Sequence, residues 1–299
     1  MTTRSRGPSA GFEWLKRGIG VAFRHPKPLF GGAALLLVAL LLPSLISMSA
    51  QFLSNSAGAP PSPAMLAGVM VVSMLIGLLI VPLYAGYLQV IDAAEHGQPA
   101  NGFGIFRPYA QGEALRLIGF GLVLILIYVV MLGIVIVAAG SGLVGWYMQV
   151  LAAQANHQLP PGLPQGFGIA MALFTVMGLF MMGFYSIALG QIALRRRGVF
   201  NAIGDGLLGA LKNLLPLIVL ALTLVVAWIV AVIGIVIVGV VLALIGKLVG
   251  AWLSLALLIP LYIAMMLLVV AVMFGVMYYL WRDVCAGDSE SGVAQVIAA

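Results

Sequence analysis

Asp92 and Glu95 form a close carboxylate pair at the end of an apolar stretch. Such a pair could do acid–base work or hold a metal ion, but no third ligand stands near it. It reads as a solvated helix end. His25, His96 and His157 are isolated from one another. Cys285 is the single cysteine, which excludes an intrachain disulfide and a multi-cysteine metal site. It is expected just past the last apolar stretch, as an ordinary thiol. No GxSxG or HExxH pattern occurs. No catalytic residue and no cofactor is therefore expected.

A denser constellation lies in RRRGVFNAIGDGLLGALKNLLPLIV, residues 195–219, where Gly204, Gly206 and Gly209 spell GxGxxG. A dinucleotide turn needs a strand before it and a βαβ unit around it. Here a long apolar stretch and three arginines come first, so the glycines read instead as places of close backbone approach. Phe200, Ile203, Leu207, Leu211 and Leu214 recur at three- and four-residue steps and mark one helical face. Asn201, Asp205 and Lys212 lie away from it. Such a helix rests in the bilayer interface with its apolar face in the acyl chains. Arg195, Arg196, Arg197 and Lys212 are then the candidate contacts to lipid headgroups. The segment FEWLKRGIGVAF repeats the pattern, with Phe12, Leu15, Ile19, Ala22 and Phe23 on the apolar side, and EALRLIGF is a weaker third copy.

The elements that position these residues follow from composition. Hydrophobic residues make up 63% of the 299 and charged residues only 7%, against about 25% charged in a soluble domain. Residues 29–91, 117–194 and 214–246 carry no acidic or basic side chain except His157. A crossing takes ~20 apolar residues, so each tract is expected to fold back and cross twice. The spans are placed at about 29–53, 65–91, 115–139, 167–194, 214–244 and 250–281, with Gly- and Pro-rich breaks between them. Pro160, Pro161 and Pro164 argue against helix in the long connection, where Trp146 and Tyr147 suit the headgroup level. Gly246 and Gly250 offer a close-packing pair between the last two spans. The fold class is an all-α polytopic membrane bundle: six transmembrane helices as three hairpins, with short cytoplasmic interfacial helices. Residues 1–28 form a cytoplasmic amphipathic segment, 29–284 the membrane domain and 285–299 a disordered cytoplasmic tail.

Six spans place thirteen of the fourteen basic residues on one face, leaving Lys247 alone on the other. Lys and Arg gather on the cytoplasmic side of a membrane, so both termini are expected there. The net charge of +6 has the same origin and does not call for nucleic acid. The first apolar segment, ~25 residues, is too long for a signal-peptide core and is read as a permanent helix. The even spans end in similar aromatic and polar runs closed by Gly97, Gly198 and Gly287, consistent with three hairpins of the same orientation.

Three stretches carry a resemblance: WLKRGIGVAFRHP (14–26), GALKNLLPLIV (209–219) and YYLWRDV (278–284). Through Trp14, Gly18, Phe23, Pro26, Asn213, Pro216, Arg282 and Asp283 the chain resembles an uncharacterised family of bacterial multi-span inner-membrane proteins. It is also distantly similar to the membrane domain of bacterial glycerophosphodiester phosphodiesterases, whose chemistry resides in a separate barrel domain. That resemblance implies a bacterial inner-membrane location and no activity of this chain's own. The expected function is a non-catalytic integral membrane protein that organises lipid or a membrane partner. The alternative is a transporter or channel for an uncharged or lipid-like solute. The expected partners are membrane lipids, anionic ones included; a homo-oligomer or a protein partner stays open.

Overall fold

The computed structural model describes residues 3–56, 62–140, 142–155 and 158–285. Of the predicted tail only Cys285 belongs to these; residues 286–299 and His157 lie outside the described residues. The chain is an all-α bundle of α1 (Ala10–Arg24), α2 (Pro26–Ser56), α3 (Pro63–Glu95), a 3-10 turn (Gly102–Phe106), α4 (Arg107–Ala110), α5 (Ala114–Ala139), α6 (Gly142–Ala155), α7 (Phe167–Arg195), α8 (Val199–Lys212), α9 (Leu214–Val249) and α10 (Ala251–Cys285). Among the described residues six helices are long and apolar enough to cross a membrane: α2, α3, α5, α7, α9 and α10. They pair as three hairpins, α2 with α3, α5 with α7, and α9 with α10. The shortest, α5, has 26 residues, about 39 Å at 1.5 Å per residue, against a hydrocarbon core of ~30 Å.

Burial is concentrated at one end. Leu29, Ala33 and Leu36 of α2, Leu83 to Ala94 of α3, Phe184 to Ala193 of α7 and Ala271 to Cys285 of α10 supply much of the core. The opposite halves of α2, α3, α9 and α10 present Phe52, Met70, Val236, Trp252 and many other large apolar side chains outward. Water would not tolerate such a surface, and hydrocarbon does. The packed end is the one where α3, α7 and α10 finish.

Small residues let that end close. A Cβ on Gly86 would fall 2.0 Å from the Ile105 carbonyl oxygen, and one on Gly102 would fall 2.6 Å from the Gly31 carbonyl carbon. The 3-10 turn is thereby wedged against α2 and α3. Asn101 fixes its start by accepting from the Gly104 N–H at 3.1 Å. Nothing in the apolar periodicity announces this turn.

The two amphipathic helices are present; their large apolar residues are mostly turned outward as expected, except that Leu15 and Ala22 of α1 are buried. On α1 the buried residues are Gly11, Trp14, Leu15, Gly18, Val21 and Ala22, whereas Phe12, Ile19 and Phe23 face outward. Gly18 meets Gly275 of α10, where an added Cβ would lie 2.8 Å from the Gly18 carbonyl oxygen. On α8 the buried face is Ala202, Asp205, Gly206, Gly209 and Ala210, packed on α7. Close approach explains Gly206 and Gly209 of the GxGxxG, while a Cβ on Gly204 would meet nothing within 4 Å. Phe200, Leu207, Leu211 and Leu214 stay exposed on the other side. On α8 the narrow contact with α7 admits small residues and Asp205, whereas α1 packs Trp14, Leu15 and Val21 beside its small residues.

Three further expectations are corrected. EALRLIGF is no separate helix: Glu113 is the N-cap of α5 and the rest forms its first turns. The long connection contains α6, which ends before the prolines. Gly250 serves a turn rather than helix packing, capping α9 at φ +133°.

A candidate anion site at the packed end

Asp92 and Glu95 occupy the last turn of α3, and they are not a solvated pair. The Glu95 side chain is 8% exposed. It faces Arg24 at 3.2 Å and His25 at 3.4 Å, both brought by the end of α1. The Tyr279 hydroxyl of α10 donates a short hydrogen bond to it. Asp92 accepts from the Tyr278 hydroxyl at 3.0 Å and stands 3.4 Å from His96. His25 and His96 are therefore each beside a carboxylate. Among the described residues no three His, Cys, Asp or Glu side chains converge to hold a metal ion.

Asp283, one turn beyond Tyr279, organises the neighbouring wall. It accepts from the buried Trp14 indole at 3.0 Å and from Arg17 at 3.2 Å. Its backbone carbonyl receives two nitrogens of Arg6, at 2.9 and 2.7 Å. Arg17 also lies 5.8 Å from the centre of the Tyr279 ring, a cation–π geometry. Together these groups enclose a cavity of about 760 Å³, within the size range of small-ligand sites. Arg6, Arg17, Arg24, Arg195 and Arg282 line it, against Asp92, Glu95 and Asp283. Five guanidinium groups thus face three carboxylates. The partial negative ends of α3, α7 and α10 take up part of the excess. Planar guanidinium forks are the side chains best matched to phosphate and carboxylate oxygens.

No family model, curated protein or solved structure matches the chain. The site must speak for itself.

The four predicted headgroup contacts do not form one patch. Arg195 lines the cavity. Arg196 caps α7 in the left-handed region at φ 53°, and its Nε lies 3.0 Å from Glu113. Arg116 donates to the Arg196 carbonyl at 3.0 Å, so this turn is tied to the start of α5. Arg197 turns inward to Asp205 at 3.0 Å, and the same carboxylate oxygen accepts from Gln191 at 3.0 Å. That cluster holds α8 on α7. Lys212 donates to the Thr3 carbonyl at 3.1 Å. Beside it Asn213, 1% exposed, accepts from the Arg6 N–H at 2.8 Å and donates to the Arg4 and Gly209 carbonyls at 2.9 and 2.8 Å. Asn213 thus makes two of the bonds that pin the amino-terminal segment, beside those from Lys212 to Thr3 and from Arg6 to Asp283.

A second cavity, of about 570 Å³, opens between α5, α7 and α10. Tyr128, Phe174, Gly178, Met181 and Met277 are among its lining residues, and it is almost wholly apolar. Cys285, expected beyond the last span, is instead the buried final residue of α10.

Proposed function

We propose that this chain is a non-catalytic integral membrane protein that gathers anionic lipid at one face of the bilayer and so organises lipid or a membrane partner. The observation that carries this reading is the basic cavity, with its five arginines at the packed end of a bundle whose flanks are apolar. The exposed apolar faces of α1 and α8 support it, since they suit immersion beside the headgroups. In this reading Arg195 faces lipid phosphate directly, while Arg196, Arg197 and Lys212 divide their charge between lipid and their partners in the fold. Passage of a lipid-like solute is the second reading, favoured by the apolar cavity between α5, α7 and α10. The resemblance to the uncharacterised inner-membrane family belongs to the same proposal, supported by the contacts that Trp14, Gly18, Asn213 and Asp283 make.

The lipid reading is tested by native mass spectrometry of the protein extracted in mild detergent. Anionic lipid is expected in excess over its share of the surrounding membrane. A basic residue near such a surface contributes ~1 kcal/mol, so Arg195→Gln is expected to lower bound anionic lipid roughly fivefold. This substitution leaves the Arg196–Glu113 and Arg197–Asp205 pairs in place. Wild-type protein with no anionic excess would sink the proposal.

We assign the packed end to the cytoplasmic side of a bacterial inner membrane, on the thirteen basic residues that six crossings gather there. Reporters inserted at residues 60 and 160 are expected outside the cell membrane. Those at residues 100 and 205 and at the carboxy terminus are expected inside. A cytoplasmic signal from residue 160 would overturn the assignment.

A further inference from the structure

On α10 the linings of the basic cavity and the apolar cavity are one turn apart, at Trp281 and Met277. The Trp281 indole lies against Gly190, where an added Cβ would fall 2.3 Å from its Cγ. Trp281 lines the basic cavity and is 4% exposed, and its Nε1 has no hydrogen-bond partner among the described residues. One turn back from this pair, Met277 on α10 and Ser186 on α7 line the apolar cavity. A helical turn advances 5.4 Å, so the two cavities adjoin along the same two helices.

We propose that they are the two halves of one site for a diacyl lipid bearing a phosphate, with the phosphate among the arginines and an acyl chain in the apolar cleft. The proposal rests on the anionic-lipid reading above and specifies where one such molecule is held. Charge complementarity selects the head. Arg17 and Arg24 each engage their carboxylate through a single nitrogen, whereas a guanidinium carries five N–H donors. The buried Trp281 Nε1 adds a neutral donor that an oxygen of the head would satisfy. Chain chemistry selects the tail. Met131, Met177, Met181, Met182, Met273 and Met277 line the cleft, and unbranched, polarizable methionines adapt to a flexible apolar occupant. The cleft lies along α5, α7 and α10, three of the six helices long and apolar enough to cross a membrane.

The test separates tail from head. Gly178 lines the cleft, and a Cβ there meets nothing within 4 Å, so Gly178→Leu fills the space without straining the fold. Met177→Trp is a second filling variant, used if the first loses its thermal transition. Arg17→Gln weakens the head subsite while Asp283 keeps its bond from Trp14. Full-length protein is titrated with dioleoyl phosphatidylglycerol and its occupancy read by native mass spectrometry. Dioleoylglycerol and inorganic phosphate serve as competitors. Either filling variant is expected to lower occupancy at least tenfold and Arg17→Gln about fivefold, with neither competitor displacing the lipid at equal concentration. If Arg17→Gln acts while both filling variants bind normally, the joined site is wrong and the lipid reading of the cavity survives. Displacement by inorganic phosphate would overturn the proposal in favour of a soluble phosphate ligand. If neither class of variant changes occupancy, both readings fail.

Discussion

Gly11→Ala is expected to undock α1 and to lower stability by about 3 kcal/mol, the upper range for overpacking a tight contact. The new Cβ would fall 2.2 Å from the Pro216 carbonyl oxygen and 2.6 Å from the Leu220 nitrogen. Both are backbone atoms of α9, so no side-chain rotation makes room. Relief requires α1 to move off α9, and α1 carries Trp14, Arg17 and Arg24 into the cavity wall. Thermal unfolding in detergent, together with hydrogen exchange over residues 10–24, reads the effect. Gly20 is the control on the same helix, since a Cβ there meets nothing within 4 Å. Gly20→Ala is expected to gain between about 0.5 and 1 kcal/mol from helix propensity. Equal effects at the two positions would refute close packing of α1.

Asn213→Leu has the second largest expected effect. It removes three hydrogen bonds at a position 1% exposed. The Arg6 N–H and the Arg4 carbonyl lose their partner, and leucine offers nothing in return. Unsatisfied buried groups cost about 1–3 kcal/mol each, so local opening of the amino-terminal segment becomes easier by about 3 kcal/mol. Tryptic cleavage after Arg4 and Arg6 is expected to accelerate on the order of a hundredfold while the bundle stays intact. Anionic-lipid occupancy falls in parallel, because Arg6 leaves the cavity. Unchanged cleavage would show that the segment is held by other contacts.

The six crossings were legible because charge is expelled from them: the two longest uncharged tracts have room for two crossings each, and 214–246 and 248–281 for one each. Helix ends were less legible. The second span was expected to stop at residue 91, yet α3 runs to Glu95, and the sixth was expected to stop at 281, yet α10 runs to Cys285. Polar side chains in those last turns look like the onset of water, but Asp92, Glu95 and Asp283 are paired inside the protein. Their partners stand up to 269 residues away in sequence, a distance over which spacing carries no signal. Of the four predicted headgroup residues, Arg195 alone lines the cavity. Arg196 and Arg197 looked like a free basic cluster because Glu113 and Asp205 are reached only through folding. On α1 and α8 the hydrophobic pattern located the helices and most of the outward apolar face, but it grouped Leu15 and Ala22 with that face although they pack on the bundle, since periodicity does not distinguish a surface meant for protein from one meant for lipid.

The order of synthesis acquires a meaning from the position of α1. It leaves the ribosome before the six crossings, and its main contacts are with α10 and α9, the two most distant from it in the described chain. Chain elongation over the roughly 200 residues between them takes on the order of 10–40 s at 5–20 residues per second. For that interval the face of α1 that carries Trp14, Gly18 and Ala22 has neither helix to pack on. The outward Phe12, Ile19 and Phe23 give it an anchorage at the bilayer surface that needs no other part of the chain. The arginine cavity, whose wall includes Arg282 and Asp283, is complete only once the last turns of α10 have been made.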